Sequence, residues 1–336
     1  MTTYIDRTNQ ARLAPPSAYA PDVAGNADVA LTPQLSPGRR QLPFDFDGVL
    51  VGTAEYSEGP TGCTVIHIPA GARTAVDARG GAVGQSGGYP RNHAICLAGG
   101  SSYGLEAVAG VSAELLHRKQ NRTHWEELQL VSGAVIYDFS VRENAIVPDV
   151  ALGRAAVRNA RPNEFPIGRC GAGVAASVGK IDFGRAEFAG QGAAFQTYGQ
   201  VKILVATVVN AVGVIVDRDG EVLRGNFHPA LGQRRKPALD YAEAIVGEQT
   251  VATASGNTTI SALVTNVKLS DFELRQLSIQ VHSSMHRGIQ PFHTETDGDV
   301  LFALTTDEVE LSGIGTTGFG ALASEVAWDA ILASLE

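Results

Sequence analysis

Ser255-Gly256-Asn257-Thr258-Thr259-Ile260-Ser261 joins two different kinds of chain. Before and into it runs the small, polar Thr253-Ala254-Ser255-Gly256; beyond it the residues from Thr259 to Val267 are apolar or β-branched. β-Branched side chains suit a pleated, packed surface, so the second run predicts a central strand. A loop then delivers Asn257 and Thr258 to the first residue of that strand. Local pattern alone is satisfied by an Asx turn entering a core strand. Any further role for these two residues has to come from groups elsewhere in the chain.

Working outward, the 336 residues are 44% hydrophobic, include 38 glycines and are only 18% charged. That composition predicts a compact fold with many tight turns and either a large core or surface hidden in an oligomer. A formal net charge of -9 argues against nucleic acid and against anionic membrane as partners. Cys63, Cys96 and Cys170 are widely spaced in apolar surroundings. They read as buried, reduced thiols of a cytoplasmic protein. The N-terminus lacks a basic-then-apolar signal pattern, and no apolar run approaches the roughly 18 residues of a membrane span.

Residues 1–43 are polar and proline-rich and predict an extended arm without its own core, with order beginning near Phe44. From there 48–56 and 63–69 read as strands joined by the turn Glu58-Gly59-Pro60-Thr61-Gly62, an antiparallel hairpin, and a further short strand is expected around 73–77. An apolar run at 94–98 breaks at Gly99-Gly100. A buried helix follows through Leu105, Val108, Val111 and Leu115, with Ser101 or Ser102 as its N-cap. Strands are expected at 134–139, 201–208 and 212–217, the last turning through Asp219-Gly220, with short helices at 148–160 and 238–246. Ser270-Asp271-Phe272-Glu273 is a capping box with a Leu269/Leu274 staple, opening a helix with Leu274, Leu277, Val281 and Met285 on one face. A strand at 299–306 and a C-terminal helix striped by Ala323, Val326, Ala327, Ala330 and Ile331 complete the chain. Groups of hairpin strands separated by helices predict sheets covered by helices.

Four local patterns carry chemistry. Gly100-Ser101-Ser102-Tyr103-Gly104 matches G-x-S-x-G between a strand and a helix. It offers Ser102 as an α/β-hydrolase nucleophile, with His293 following Asp217 or Asp219. Alternating hairpins are wrong for the parallel sheet such an enzyme needs, and a helix N-terminus built of small residues explains the motif equally. Gly173 to Lys180 resembles a phosphate loop, but five residues separate its glycines and Ile181 stands where a magnesium-binding Ser or Thr belongs. It is rejected as a phosphate site, leaving Lys180 as a lone charge in a small-residue stretch: buried, or a snorkelling surface lysine. His282 and His286 are four apart and His293 follows, yet Ser283 replaces the glutamate of H-E-x-x-H, so structural histidines are favoured over a metal face. Asp297-Gly298-Asp299 either forms a turn or brings two carboxylates together.

Taken together these residues carry a resemblance. Glu58-Gly59-Pro60-Thr61-Gly62, Ala70-Gly71-Ala72-Arg73-Thr74-Ala75-Val76-Asp77, Gly256-Asn257-Thr258-Thr259-Ile260-Ser261 and His282-Ser283-Ser284-Met285-His286-Arg287-Gly288 resemble the nylon-oligomer hydrolases, the 6-aminohexanoate-oligomer endohydrolases. These sit within the self-processing aminopeptidases that include the β-peptidyl aminopeptidases and the L-aminopeptidase/D-amidase enzymes. The resemblance spans Phe44 to the C-terminal helix and covers 1–43 weakly. It implies a four-layer αββα sandwich like that of N-terminal-nucleophile hydrolases but with different connectivity. It also implies one catalytic domain, 44–336, that cuts itself between Asn257 and Thr258 into 1–257 and 258–336, and a homotetramer of cleaved pairs. Threonine rather than serine at 258 matches the nylon-oligomer branch. The family pattern makes Lys180, Asn210, Asp297 and Asp299 the catalytic companions of Thr258, and Tyr137 a residue of the oxyanion site. The implied substrates are linear or cyclic 6-aminohexanoate oligomers, with short peptides as the alternative; no metal or cofactor is implied.

That assignment is chemically coherent. A threonine hydroxyl needs a base to become a nucleophile. A cut before Thr258 would free an α-amine of ordinary pKa about 8, which a nearby Lys180 cation would lower. Asp297 and Asp299 would hold Lys180 and the nucleophile, and Asn210 and Tyr137 would donate to an oxyanion, at roughly 3 kcal/mol per donor.

Overall fold

Alternation along Thr258–Val267 sets the layers. Every residue of this strand is buried, and its two faces enter different cores. Ile260, Ala262 and Val264 pack in one cluster, while Leu263 and Val267 pack in another. A strand apolar on both faces belongs in the middle of a layered protein. The computed structural model describes residues 23–247 and 256–335; the first half of the proline-rich arm and Thr253 to Ser255 lie outside them.

Ten strands among the described residues form one continuous ladder. Thr258–Val267 pairs antiparallel with Val201–Asn210, which pairs with Gln191–Tyr198. On its other side it runs parallel to Val300–Val309, which pairs with the far half of Thr61–Ala78. The near half of that 18-residue strand pairs instead with Leu50–Tyr56, and Arg91–Ala98 follows it on its other edge and leads to Val131–Val135. One strand thus passes from one sheet layer to the other. The register slips between His67 and Ala72, where Pro69, Ala70 and Gly71 interrupt the pairing. The separate strand expected at 73–77 is the continuation of this one; the Pro-Ala-Gly punctuation marks a bulge rather than an end.

The two layers face each other across Ile66, Ile95, Leu97 and Ile136 on one side and Leu204, Val208, Ile260 and Phe302 on the other. Five helices lie among the described residues: α1 (Leu105–Arg118), α2 (Val150–Arg158), α3 (Pro237–Ile245), α4 (Asp271–Ser284) and α5 (Thr316–Ala333). α1 and α2 cover the outer face of one sheet through Val111, Leu115, Leu152 and Val157 against Cys63, Val65 and Cys96. α4 and α5 cover the other through Leu277, Val281, Phe319 and Ala327 against Val205, Leu263 and Leu301. The result is the expected four-layer αββα sandwich. α1 and α2 approach so closely that a Cβ on Gly153 would stand 2.0 Å from the Ala107 carbonyl oxygen and one on Gly110 2.3 Å from that of Val150.

Local readings mostly hold at their stated places. The Asp219-Gly220 hairpin joins Val214–Val216 to Val222–Arg224. Asp149 caps α2 by accepting the Leu152 N–H at 3.0 Å. The capping box is complete: the Ser270 hydroxyl takes the Glu273 N–H and Glu273 takes the Ser270 N–H at 2.8 Å. Ser270→Ala is expected to lower stability by about 1 kcal/mol, read from urea denaturation, since it orphans a donor at the start of α4. Two readings change. Ser101–Gly104 forms a 3-10 turn and α1 begins after it without a side-chain cap, so neither Ser101 nor Ser102 serves as N-cap. Order also starts before Phe44: Arg40–Pro43 pairs with Glu164–Ile167, and Val29 and Leu31 pack against the α1–α2 core.

Candidate active site

Asn210 and Thr258 are directly opposite in the ladder, at the end where the Thr258–Val267 strand begins. Thr258 shares parity with Ile260 and Ala262, so its side chain points between the two sheets. The arrangement around it is almost wholly buried: Asn257, Asn210, Asp297 and Asp299 are 0% exposed, Lys180 1% and Thr258 5%. Gly256 enters at φ +84, and a Cβ there would lie 2.5 Å from the Tyr137 ring. Only glycine permits both that conformation and that approach.

The Asn257 carbonyl is the centre of the geometry. Its oxygen accepts the Gly298 N–H at 2.9 Å, and the Thr258 hydroxyl makes a short hydrogen bond to the same oxygen. Asn257 itself is fixed by its N–H to the Thr296 carbonyl at 3.2 Å and its side-chain amide to Thr296 Oγ1 at 3.3 Å. A hydroxyl, a carbonyl and an oriented backbone donor therefore meet at one peptide bond.

Lys180 lies beside this point. Its Nζ donates to the Asn210 backbone oxygen at 2.9 Å and to Asn210 Oδ1 at 3.0 Å. Burial drives its pKa down to about 7, against the opposing pull of Asp297 and Asp138. At neutral pH it is therefore divided between amine and ammonium, not the standing cation that would hold down a neighbouring amine. Asn210 is held on both sides: one Nδ2 hydrogen goes to the Tyr137 carbonyl at 3.0 Å, and Oδ1 also receives the Ser177 N–H at 3.0 Å. In this arrangement Gly298 N–H is the backbone donor on the Asn257 carbonyl, and Asn210 accepts from Lys180. Tyr137 contributes its carbonyl to Asn210 and its ring to the approach of Gly256.

The two carboxylates diverge. Asp297 accepts from Thr294 N–H at 3.1 Å, Thr294 Oγ1 at 2.5 Å and Val212 N–H at 3.4 Å. Asp299 accepts the Thr259 N–H at 2.7 Å and the His293 N–H at 3.0 Å, and meets His293 Nδ1 at 2.9 Å. Burial, then the charge of Asp297, raise Asp299 to about 8 despite these donors. Neither carboxylate hydrogen-bonds Lys180; Asp297 acts on it through space, and Asp299 fixes the backbone beside Thr258.

The rival constellation is not assembled. Ser102 is exposed in its 3-10 turn. His293 is bonded to Asp299, and Asp217 is spent on the Asp219 and Glu221 N–H groups of a hairpin. Among the described residues no three His, Cys, Asp or Glu side chains converge as metal ligands. His282 instead bonds Asp77 through Nδ1 at 2.8 Å. Residue patterns pointed to neither the Gly298 N–H nor the His293–Asp299 contact: the first is backbone, and the second needs a loop that folds back on itself over six residues.

Comparison with known proteins supplies the family and the fold. Residues 44–335 match Peptidase family S58. A 6-aminohexanoate-oligomer endohydrolase from Kocuria sp. is 60% identical over 331 residues, covering 96% of this chain and 93% of that protein. Among solved structures, the L-aminopeptidase D-Ala-esterase/amidase of Ochrobactrum anthropi, described as a variant of the Ntn hydrolase fold, superposes with a TM-score of 0.62 at 15% identity. That match covers 92% of this chain and 88% of that one. A Burkholderia sp. β-aminopeptidase gives 0.60 at 14%, covering 90% and 87%. The chain belongs to peptidase family S58 and is an amide-bond hydrolase.

Proposed function

We propose that this protein cuts its own chain between Asn257 and Thr258 and then hydrolyses 6-aminohexanoate oligomers through the exposed Thr258. The observation that carries the reading is the Thr258 hydroxyl held against the Asn257 carbonyl, whose oxygen already rests on the Gly298 N–H. The name borne by the 60%-identical relative supports the substrate class.

In the first reaction Thr258 Oγ adds to the Asn257 carbonyl carbon, and the hydroxyl proton passes to Lys180 in its amine form. Negative charge develops on the oxygen held by Gly298 N–H, a donor of a kind worth roughly 3 kcal/mol in the transition state. The carbon–nitrogen bond breaks as the Thr258 nitrogen takes that proton, leaving an ester on Oγ. Water hydrolyses the ester, restoring the hydroxyl and leaving Asn257 as a carboxylate. Thr258 now carries a free amine that serves as base for its own hydroxyl. An oligomer amide is attacked in the same way, its amine half leaves, and water releases the acyl half as an acid. Asp297, Asp299, Asn210 and Tyr137 hold these groups. The same reading includes a homotetramer of cleaved pairs, in keeping with exposed Trp125, Phe272 and Ile245, and a cytoplasmic setting, in keeping with three buried free thiols.

Intact-mass analysis of the purified wild type is expected to give two species, 1–257 and 258–336. A chain that stays whole after long incubation would sink the self-processing step. Digestion of a long oligomer with its amino end capped separates the modes: continued cleavage is expected, and activity confined to free-amine chains would make the protein an aminopeptidase instead.

A further inference from the structure

Behind Asp299 lies a second layer of titratable groups that the reaction above does not use. His293 holds Asp299 twice, by its N–H and by its ring Nδ1. It does so at φ +58, in the left-handed region, where a residue with a side chain costs about 1–3 kcal/mol and persists only under constraint. The constraint is visible. The ring stacks on Phe292 at 3.9 Å and 29° and meets the ring of His282 edge-on at 4.4 Å and 77°. His282 is 0% exposed and bonds Asp77, which bonds Arg79 Nε at 2.7 Å. The Nε2 atoms of both imidazoles are buried without a hydrogen-bond partner among the described residues.

This has a chemical consequence. With the pair deprotonated, the ring proton sits on Nδ1 facing the carboxylate and Nε2 is a bare lone pair. Adding one proton to the Oδ2–Nδ1 contact gives either a carboxylic acid donating to Nδ1 or an imidazolium facing a carboxylate. In both forms Nε2 carries hydrogen. An orphaned buried donor costs roughly 1–3 kcal/mol, so the ring resists the proton that burial of Asp299 invites. The groups facing this pair are Asp297, Asp77, Arg79, His282 and His286; burial, then Arg79 and His286, hold His293 down to about 4. With the ring nitrogen 2.9 Å from the carboxylate, the steps in which this pair takes up protons belong to the pair and not to either residue alone.

We propose that His293 is a positioning residue acting through Asp299: the pair holds a single titrating proton, and its ionisation sets the pH range in which Thr258 works. The second half rests on Thr258 being the nucleophile.

Two measurements decide it. The first is the rate of self-cleavage against pH, from quantified gels, in wild type and His293→Asn. Asparagine tolerates the left-handed backbone and keeps a donor on the Nδ1 side but offers no ring proton site. The asparagine amide can turn its oxygen toward a protonated Asp299 and leaves no Nε2–H to orphan, so the inflection belonging to the pair is expected to move up by about one pH unit or more. Superimposable profiles overturn the proposal. The second is a nitrogen-15 histidine titration of uncleaved Thr258→Ala protein, the His293 signal being identified by its loss in His293→Asn. Nε2 is expected to gain its proton as pH falls, with a midpoint that moves when Asp299→Asn is added. A ring indifferent to Asp299 overturns the shared proton, even if His293→Asn fails to fold. A wild type that never cuts refutes the nucleophile reading instead, and the nitrogen titration still decides the pair.

Discussion

Thr258→Ala is expected to leave a single full-length chain on a denaturing gel and to abolish oligomer hydrolysis, a loss of at least about 10⁴-fold. Among the described residues the side chain has one hydrogen-bond partner, the Asn257 carbonyl oxygen at its own peptide bond. Removing it deletes the attacking atom while leaving the strand, whose ladder contacts are made by the backbone. Loss of one hydrogen-bonded hydroxyl costs on the order of 1 kcal/mol, so the variant should fold. Thr258→Ser keeps the oxygen and should still be cut. A Thr258→Ala chain that splits at 257–258, seen by mass spectrometry, would transfer the chemistry to another group.

Lys180→Met is expected to slow self-cleavage at least about 100-fold by removing the proton acceptor, yet to stabilise the fold at low pH. The sign follows from linkage. The Lys180 pKa falls from 10.5 to about 7 on folding. Between those values the unfolded chain holds the extra proton, so the lysine's burden on stability is complete below pH 7 and fades as pH rises toward 10.5. A shift of that size corresponds to about 5 kcal/mol at most. The two bonds to Asn210 that methionine forfeits offset part of it, at roughly 1 kcal/mol each. In the uncleavable Thr258→Ala background, urea denaturation should find Lys180→Met about 1–3 kcal/mol more stable at pH 6, with the advantage shrinking by pH 9. An advantage that does not change with pH, or a loss at pH 6, would refute the linkage.

Fold class was legible where period and punctuation agreed. The β-branched run after Thr258, the Asp219-Gly220 hairpin and the Ser270 capping box each name their element from local chemistry. The exception at Pro69 to Gly71 shows the limit: a bulge inside one strand and a turn between two use the same residues, and only the partner strands distinguish them. The site was legible as a set of residues, through family resemblance, but not as an arrangement. Nothing about Lys180 in the sequence says that it leans on Asn210 rather than on a carboxylate. The separation of Asp297 from Asp299 depends on which backbone donors surround each, and those come from Val212, Thr259 and the 293–294 loop.

The position of Thr258–Val267 in the ladder bears on what would hold the two proposed pieces together. The strand lies between Val201–Asn210 and Val300–Val309, and the latter in turn abuts Thr61–Ala78. A break before Thr258 places two adjacent inner strands, with α4 and α5, on one piece and both flanking strands on the other. The larger piece alone would hold a slot two strands wide with unsatisfied edges on both walls, and the smaller would be a two-stranded plug with none of its lateral partners. A nick there would turn a folding problem within one molecule into a meeting of two. Each piece is the other's missing interior, so assembly is far easier before the cut than after it.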